Sequence, residues 1–424
     1  MAFLIEALHR ITEPLYYKSI LIPRIRGKQN LILNDIHRRG RAKIVFIVSS
    51  LPMWRFQPLY DRLKKDSSFQ VSIALYPFPL YSDNQKTESI RQLRLFFGEN
   101  SVPYIDLSDE PNPGASLRRA IDPDIIFYPQ PYNRLFENDL DCTYFEDKLI
   151  CYIPYAMLTS IEPWAYANHL ENIAWRLYFS TNERKREAAS VLYNHGDNIR
   201  VVGEPVSDLF YEPRHQTIWE KQPAPMARVI WAPHFSINDN CLQHRYSFLG
   251  LYQTMLEIAN AYNDRVQFAF KPHPRLQTEL YNHPDWGKAK TDEYYQQWAT
   301  GKNTQLVTGD YIDLFKDSDA MIHDCGSFSV EYHFTGNPVL FISENLNDVT
   351  NSLNDFGKEA ILAHYQGSRK EDIIHFIDSV VLNGEDPMRS ERERFRKKYL
   401  TPPTGQSVAD IIYRDLVSSL GFEK

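Results

Sequence analysis

The chain has 424 residues, of which 43% are hydrophobic and 24% charged, with a formal net charge of −7. That length exceeds one ordinary core, and that balance excludes a disordered or fibrous protein, so two globular domains are expected. The acidic balance excludes a general nucleic-acid binder, which needs a basic face to neutralise phosphates, and no nucleic-acid partner is expected. The four cysteines are scattered without a C-x-x-C pair, which argues against a disulfide framework or a structural zinc site and fits a reducing cytoplasm.

In chain order, residues 1–42 read as a basic helical arm. Arg24, Arg26, Lys28, Arg38, Arg39, Arg41 and the following Lys43 arrive with only Asp35 to offset them. Such a segment either packs on its own domain or lies on an anionic membrane, where each basic residue contributes roughly 1 kcal/mol. No secretory signal is visible and no stretch reaches about 18 consecutive apolar residues. The expected location is the cytoplasm, with peripheral contact at the inner face of the plasma membrane as the arm's alternative use.

Residues 43–50, KIVFIVSS, are a short apolar, β-branched run ended by a turn-prone Ser-Ser-Leu-Pro, the pattern of a buried parallel strand. Trp54, Leu59 and Leu63 then fall at helical spacing, and FQVSIALYP gives a second strand, so an α/β unit with a parallel sheet begins here. Further strands are predicted at 125–128, 148–153, 178–180 and 199–202, which makes residues 43–210 the first Rossmann-like domain. Residues 211–228 contain Pro and Gln with little periodicity and read as a linker. The same pattern restarts in residues 225–424, with strands at 228–231, 266–271, 305–307, 320–323 and 339–342, and helices at 246–262, 311–316, 328–335 and 371–382.

Three strand ends carry polar residues suited to phosphate. In the run Ser318 to Tyr332, SDAMIHDCGSFSVEY, a strand enters a small-residue turn and then a helical segment whose first N–H groups are unpaired, with Gly326 allowing close approach and Ser327 and Ser329 offering hydroxyls. The alternative is that Asp324 or Ser327 is simply the helix cap. In Phe268 to Arg275, FAFKPHPR, Lys271 and Arg275 can neutralise phosphate, and His273 can donate to a phosphate oxygen or protonate it. In Ile230 to Ser236, IWAPHFS, His234 follows a strand in the same way. Ligands of open α/β sheets bind beyond the carboxyl ends of strands, so the three motifs together indicate one site. At the matching position of the first half, Ser50, Trp54 and Arg55 could meet an acceptor, or Trp54 could be a packing anchor. There is no GxGxxG after the first strand, no Walker A and no G-x-S-x-G elbow, and Asp139-Leu140-Asp141 is a weak match to a metal-binding D-x-D.

The order WAPHFS, YSFL, FAFKPHPRL, TDEYYQQW, Tyr311-Ile312-Asp313-Leu314-Phe315, SDAMIHDCGSFSVEY and Gly336-Asn337-Pro338-Val339-Leu340-Phe341 resembles the CDP-glycerol glycerophosphotransferase family of teichoic-acid and capsule polymer enzymes, well over residues 225–345. The resemblance implies an α/β GT-B fold, two Rossmann-like domains facing across a cleft that holds the active site. It places His273, Gly326, Ser327 and Ser329 on the donor pyrophosphate, with Asp324 holding the turn and Asp313 or Glu331 on the nucleotide. Two positions depart from the family pattern. Tyr152-Ile153-Pro154-Tyr155 stands where the family carries a Trp-His-Gly motif with its general base, and Ala-Pro-His replaces Ala-Pro-Thr, so His234 is the expected substitute base.

The expected reaction is metal-independent transfer of glycerol phosphate, or another alditol phosphate, from a CDP-activated donor to a hydroxyl of a polysaccharide or lipid-linked acceptor, without a cofactor. Lys271, His273 and the Gly326 turn would stabilise phosphoryl charge. The alternatives are a GT-B glycosyltransferase using a nucleotide sugar and a non-catalytic nucleotide-binding partner in a capsule-assembly complex.

Overall fold

A computed structural model describes residues 12–79, 81–130, 139–155, 157–159, 168–213, 217–237, 247–309, 311–326 and 328–422. The chain divides into two compact units. The first is Met1–Ala156, Glu162–Leu209 and Pro402–Lys424; the second is Met157–Ile161 and Phe210–Thr401.

The first unit is built on seven parallel strands, β1 (Ala42–Val48), β2 (Phe69–Leu75), β3 (Tyr104–Asp106), β4 (Ile125–Tyr128), β5 (Leu149–Tyr152), β6 (Arg176–Phe179) and β7 (Ile199–Val201), in the order β3-β2-β1-β4-β5-β6-β7. β4 and β5 are buried along their whole length, which is why their sequences run apolar without alternation. β3, at the sheet edge, escapes sequence reading because none of its three residues is buried and no apolar run marks it. Chain direction across the sheet reverses between β1 and β4, which makes the crevice beyond their carboxyl ends the topological switch point.

Helix Ile22–Arg39 buries Ile22, Ile25, Gln29 and Ile36 and ends at Gly40, whose φ of 60° is the left-handed value a C-terminal cap needs. Its cations are paired within the unit: Arg24 and Lys28 with Glu146, Arg26 with Asp197, and Arg39 with Asp124. The helix of the arm, Ile22–Arg39, is therefore packed on its own unit. Among the described residues no helix is long and apolar enough to cross a membrane.

The D-x-D letters are helix caps. The Asp139 carboxylate accepts from the Gly114 and Ala115 N–H groups at 2.8 and 2.7 Å, at the start of helix Pro113–Ala120, and Asp141 accepts from Thr143 N–H at 2.9 Å. Gly114 is required there, since a Cβ would lie 1.9 Å from the Asp139 carbonyl oxygen. Among the described residues no group of His, Cys, Asp and Glu is placed to hold a metal ion.

The last helix, Val408–Leu420, belongs to the first unit and not to a contiguous second domain spanning 225–424. Its stripe of Val408, Ile412, Leu416 and Leu420 joins the core formed by Leu59, Leu63 and Phe69. The Asp208 carboxylate holds its first turn, accepting from the Val408 and Ala409 N–H groups at 2.8 Å each.

The second unit repeats the architecture with β8 (Ala227–Ala232), β9 (Val266–Phe270), β10 (Thr304–Leu306), β11 (Ala320–His323), β12 (Val339–Ile342) and β13 (Tyr365–Gly367). All are parallel, in the order β10-β9-β8-β11-β12-β13, so direction reverses between β8 and β11. Trp231 centres the core, its ring within 5.9 Å of Phe248, 5.0 Å of Phe270 and 5.4 Å of Trp298. The stretch expected to be a linker is instead stitched onto this unit: Trp219 is 3% exposed and its indole N–H donates to the Leu314 carbonyl at 3.1 Å.

Replacing Asp208 with Ala strands two N–H groups at the start of Val408–Leu420 and is expected to cost about 1–3 kcal/mol. The measurement is the shift of the urea midpoint, with Asp208→Asn recovering part of the loss.

Candidate functional site

Register sets the site in the second unit. Trp231 pairs with Phe270, and Ala232 with His323, so β8, β9 and β11 end nearly level. The residues that follow them, Pro233-His234, Lys271-Pro272-His273 and Asp324-Cys325-Gly326, share one edge at the reversal between β8 and β11. The turns are tied together. The Asp324 carboxylate accepts the His234 backbone N–H at 2.6 Å, Cys325 Sγ donates to the Ala232 carbonyl at 3.4 Å, and His273 N–H donates to the Pro233 carbonyl at 3.0 Å.

The side chains converge as well. The His234 and His273 ring centres are 5.1 Å apart, with Phe235 at 4.2 Å from the first and 4.5 Å from the second. Arg275 lies 4.0 Å over the Phe235 ring and is paired with Glu279 at 2.7 Å, so its charge is shared with that carboxylate. Lys271 is buried on the same edge.

Each strand-end histidine takes a backbone N–H two residues ahead onto Nδ1. Arg275 N–H donates to His273 at 3.1 Å, Cys325 N–H to His323 at 3.1 Å, and Ser236 N–H to His234 at 3.3 Å, with Ser236 Oγ a further 2.6 Å partner of His234 Nδ1. Ser236 and Phe235 were not singled out in the sequence; the signal available was the His-x-Ser spacing after a strand.

The other expected site residues have partners of their own. The helix after β11 is a four-residue turn, Phe328–Glu331, running into a 3-10 turn, Tyr332–Phe334, too short for a useful macrodipole at its start. Ser329 faces inward and donates to the Cys325 carbonyl at 2.9 Å. Ser327 lies outside the described residues. Glu331 is buried and accepts from the Tyr311 hydroxyl, and Asp313, also buried, is 3.5 Å from Lys316 Nζ.

In the first unit, Trp54 is a core residue: it packs edge-on against Phe46, Phe56, Tyr60 and Phe97, and its indole N–H donates to Gln57. Arg55 donates from Nε to the Pro52 carbonyl. Ser49 and Ser50 at the end of β1, and Gln130 just beyond β4, are buried with no side-chain hydrogen-bond partner among the described residues. Gln130 was not singled out in the sequence.

Burial, with the nearby Arg275 and Lys271 charges adding to it, pulls the His273 imidazole down from its ordinary 6.5 to about 4. It is neutral at pH 7 and available as a hydrogen-bond donor. Because the folded value is depressed, the stability this contributes is present above pH 6.5 and is lost as the pH falls towards 4. An NMR titration is expected to show the His273 ring protonating near pH 4, and a midpoint near 6.5 would contradict this environment.

The family of CDP-Glycerol:Poly(glycerophosphate) glycerophosphotransferase matches residues 162–416. No protein of curated function matches the chain. Among solved structures, a variant of the wall teichoic acid polymerase TagF is 10% identical, covering 98% of this chain and 99% of that one at a TM-score of 0.58. UDP-GlcNAc 2-epimerase from Neisseria meningitidis, bound to UDP-GlcNAc, is 16% identical over 89% of this chain and 100% of that one, at a TM-score of 0.56. The UDP-GlcNAc 2-epimerase from Methanocaldococcus jannaschii is 14% identical over 89% and 99%, also at 0.56. These likenesses establish the GT-B-like fold, and the match over residues 162–416 makes the chain a member of the CDP-glycerol:poly(glycerophosphate) glycerophosphotransferase family, enzymes that use a nucleotide-activated donor in envelope-polymer synthesis.

Proposed function

We propose that the edge formed by β8, β9 and β11 binds the diphosphate of a nucleotide-activated donor, and that the chain transfers a group from that donor to a hydroxyl of an envelope polymer. The observation that carries this reading is the convergence of Lys271, His273 and the Asp324-tied turns at the strand-order reversal, the place where open α/β sheets bind ligands. Lys271 supplies a buried positive charge and His273 a neutral imidazole N–H. Both stabilise charge on phosphate oxygens inside a partly desolvated site.

Family membership supports a CDP-alditol donor. In that reaction the acceptor hydroxyl oxygen forms a bond to the β-phosphorus and releases its proton to solvent, the bond from that phosphorus to the bridging oxygen breaks, and CMP leaves with the electron pair. A loose transition state of this kind asks for positioning and charge stabilisation. A nucleotide-sugar donor is the second reading, favoured by the likeness to epimerase structures in complex with UDP-GlcNAc, one of them also with UDP. There the acceptor oxygen attacks the anomeric carbon and the nucleoside diphosphate leaves.

A thermal-shift panel of CDP-glycerol, CDP-ribitol, CMP, UDP-sugars and GDP-sugars separates them, since a ligand of the native state stabilises it by RT ln(1 + [L]/Kd). A shift confined to cytidine nucleotides supports alditol phosphate transfer; one confined to UDP- or GDP-sugars supports glycosyl transfer. His273→Ala or Lys271→Met is expected to weaken binding of the active donor about 10-fold to 100-fold, in line with hydrogen bonds to a charged group. Unchanged affinity in both variants would remove the diphosphate from this edge.

A further inference from the structure

We infer that His234 is a second imidazole donor to the donor's phosphates, locked by Ser236 in the tautomer that carries its proton on Nε2, and that it is not the base that deprotonates the acceptor. The inference rests on the diphosphate site proposed above and replaces the role the sequence suggested for this residue.

A backbone N–H can only donate, so the contact from Ser236 N to His234 Nδ1 at 3.3 Å requires a lone pair on Nδ1. The Ser236 hydroxyl, 2.6 Å from the same nitrogen, then donates to it too. A neutral ring with its lone pair on Nδ1 carries its proton on Nε2. It gives a hydrogen bond from Nε2 and has no lone pair there to take one. The same arrangement at His273, through Arg275 N–H, leaves two neighbouring rings 5.1 Å apart with the same tautomer.

A histidine that works as a base through Nε2 needs the opposite state, with Nδ1–H held by an acceptor such as a carboxylate. A carboxylate is close at hand in Asp324, yet the bond it accepts from this residue comes from the main-chain N–H, at 2.6 Å. Asp324 thus fixes the loop and Ser236 fixes the ring. Ser236 is a positioning residue, and it is buried.

The test has one arm that needs no ligand. Two-bond ¹H–¹⁵N correlation spectra of the full chain, with His234 assigned by difference from His234→Gln, are expected to show an acceptor-type Nδ1 and a protonated Nε2. A protonated Nδ1 overturns the inference. The second arm measures CDP and UDP affinity without any acceptor present. His234→Ala is expected to weaken the bound nucleotide about tenfold, and His234→Gln, whose carboxamide N–H stands in for Nε2–H, to recover to within about threefold. A base that touches only the acceptor would leave nucleotide affinity unchanged in both variants, and that result overturns the inference. If the wild-type chain binds neither nucleotide, the proposed diphosphate site fails and the donor role of His234 fails with it, whereas the spectra still report the tautomer.

Discussion

Parallel pairing of β8 with both β9 and β11 is the constraint from which the second unit's chemistry follows. Parallel strands place their carboxyl ends along a single edge, and the reversal of order between β8 and β11 sends the neighbouring connections to opposite faces, opening a crevice between them. The residues just past those ends cannot continue the ladder, so their polar groups must find other partners. Here they find one another. Asp324 closes on the His234 main chain, Cys325 on Ala232, and His273 on Pro233. This mesh holds two imidazoles and a lysine at one edge, the preorganisation that the charge stabilisation proposed above would require.

The first unit has the same reversal, between β1 and β4, but a different chemistry. Its strand ends carry Ser49, Ser50 and Gln130, neutral groups buried without partners among the described residues. Native interiors hold few such groups, and each one calls for a physical reason. The contrast matters: one unit gathers cationic and imidazole donors, while the other gathers hydroxyls and a carboxamide that both give and accept hydrogen bonds.

Much of this was legible in the sequence because buried parallel strands have a strong local signature. β1, β4 and β11 stand out as short, mainly apolar runs followed by turn residues, and the polar residues of the three phosphate-suited motifs come at or just after the ends of β8, β9 and β11. β3 has no buried residue and β13 only Gly367, so neither leaves an apolar run, whereas the equally short edge strands β7 and β10 each begin on buried residues. The tautomers were beyond reach because they depend on a donor two residues away in space as well as in sequence, a matter of backbone direction after the strand. Ser329 shows the same gap: its spacing from Gly326 suits a phosphate donor, but a turn of one helical repeat points its hydroxyl back to Cys325. Trp54 and Trp219 both stand in Pro-containing stretches of the sequence, and both are core anchors.

The return of Val408–Leu420 to the first unit sets an order on how the chain can mature. Most of the second unit is continuous in sequence, from Phe210 to Thr401, whereas the first is interrupted by it and completed only by Pro402–Lys424. During synthesis, Asp208 therefore has to wait through nearly 200 residues for the N–H groups it will cap, and Leu59 and Leu63 wait longer still for the helix that packs on them. Domains otherwise tend to form in the order they leave the ribosome. In this protein the half made first is the half finished last.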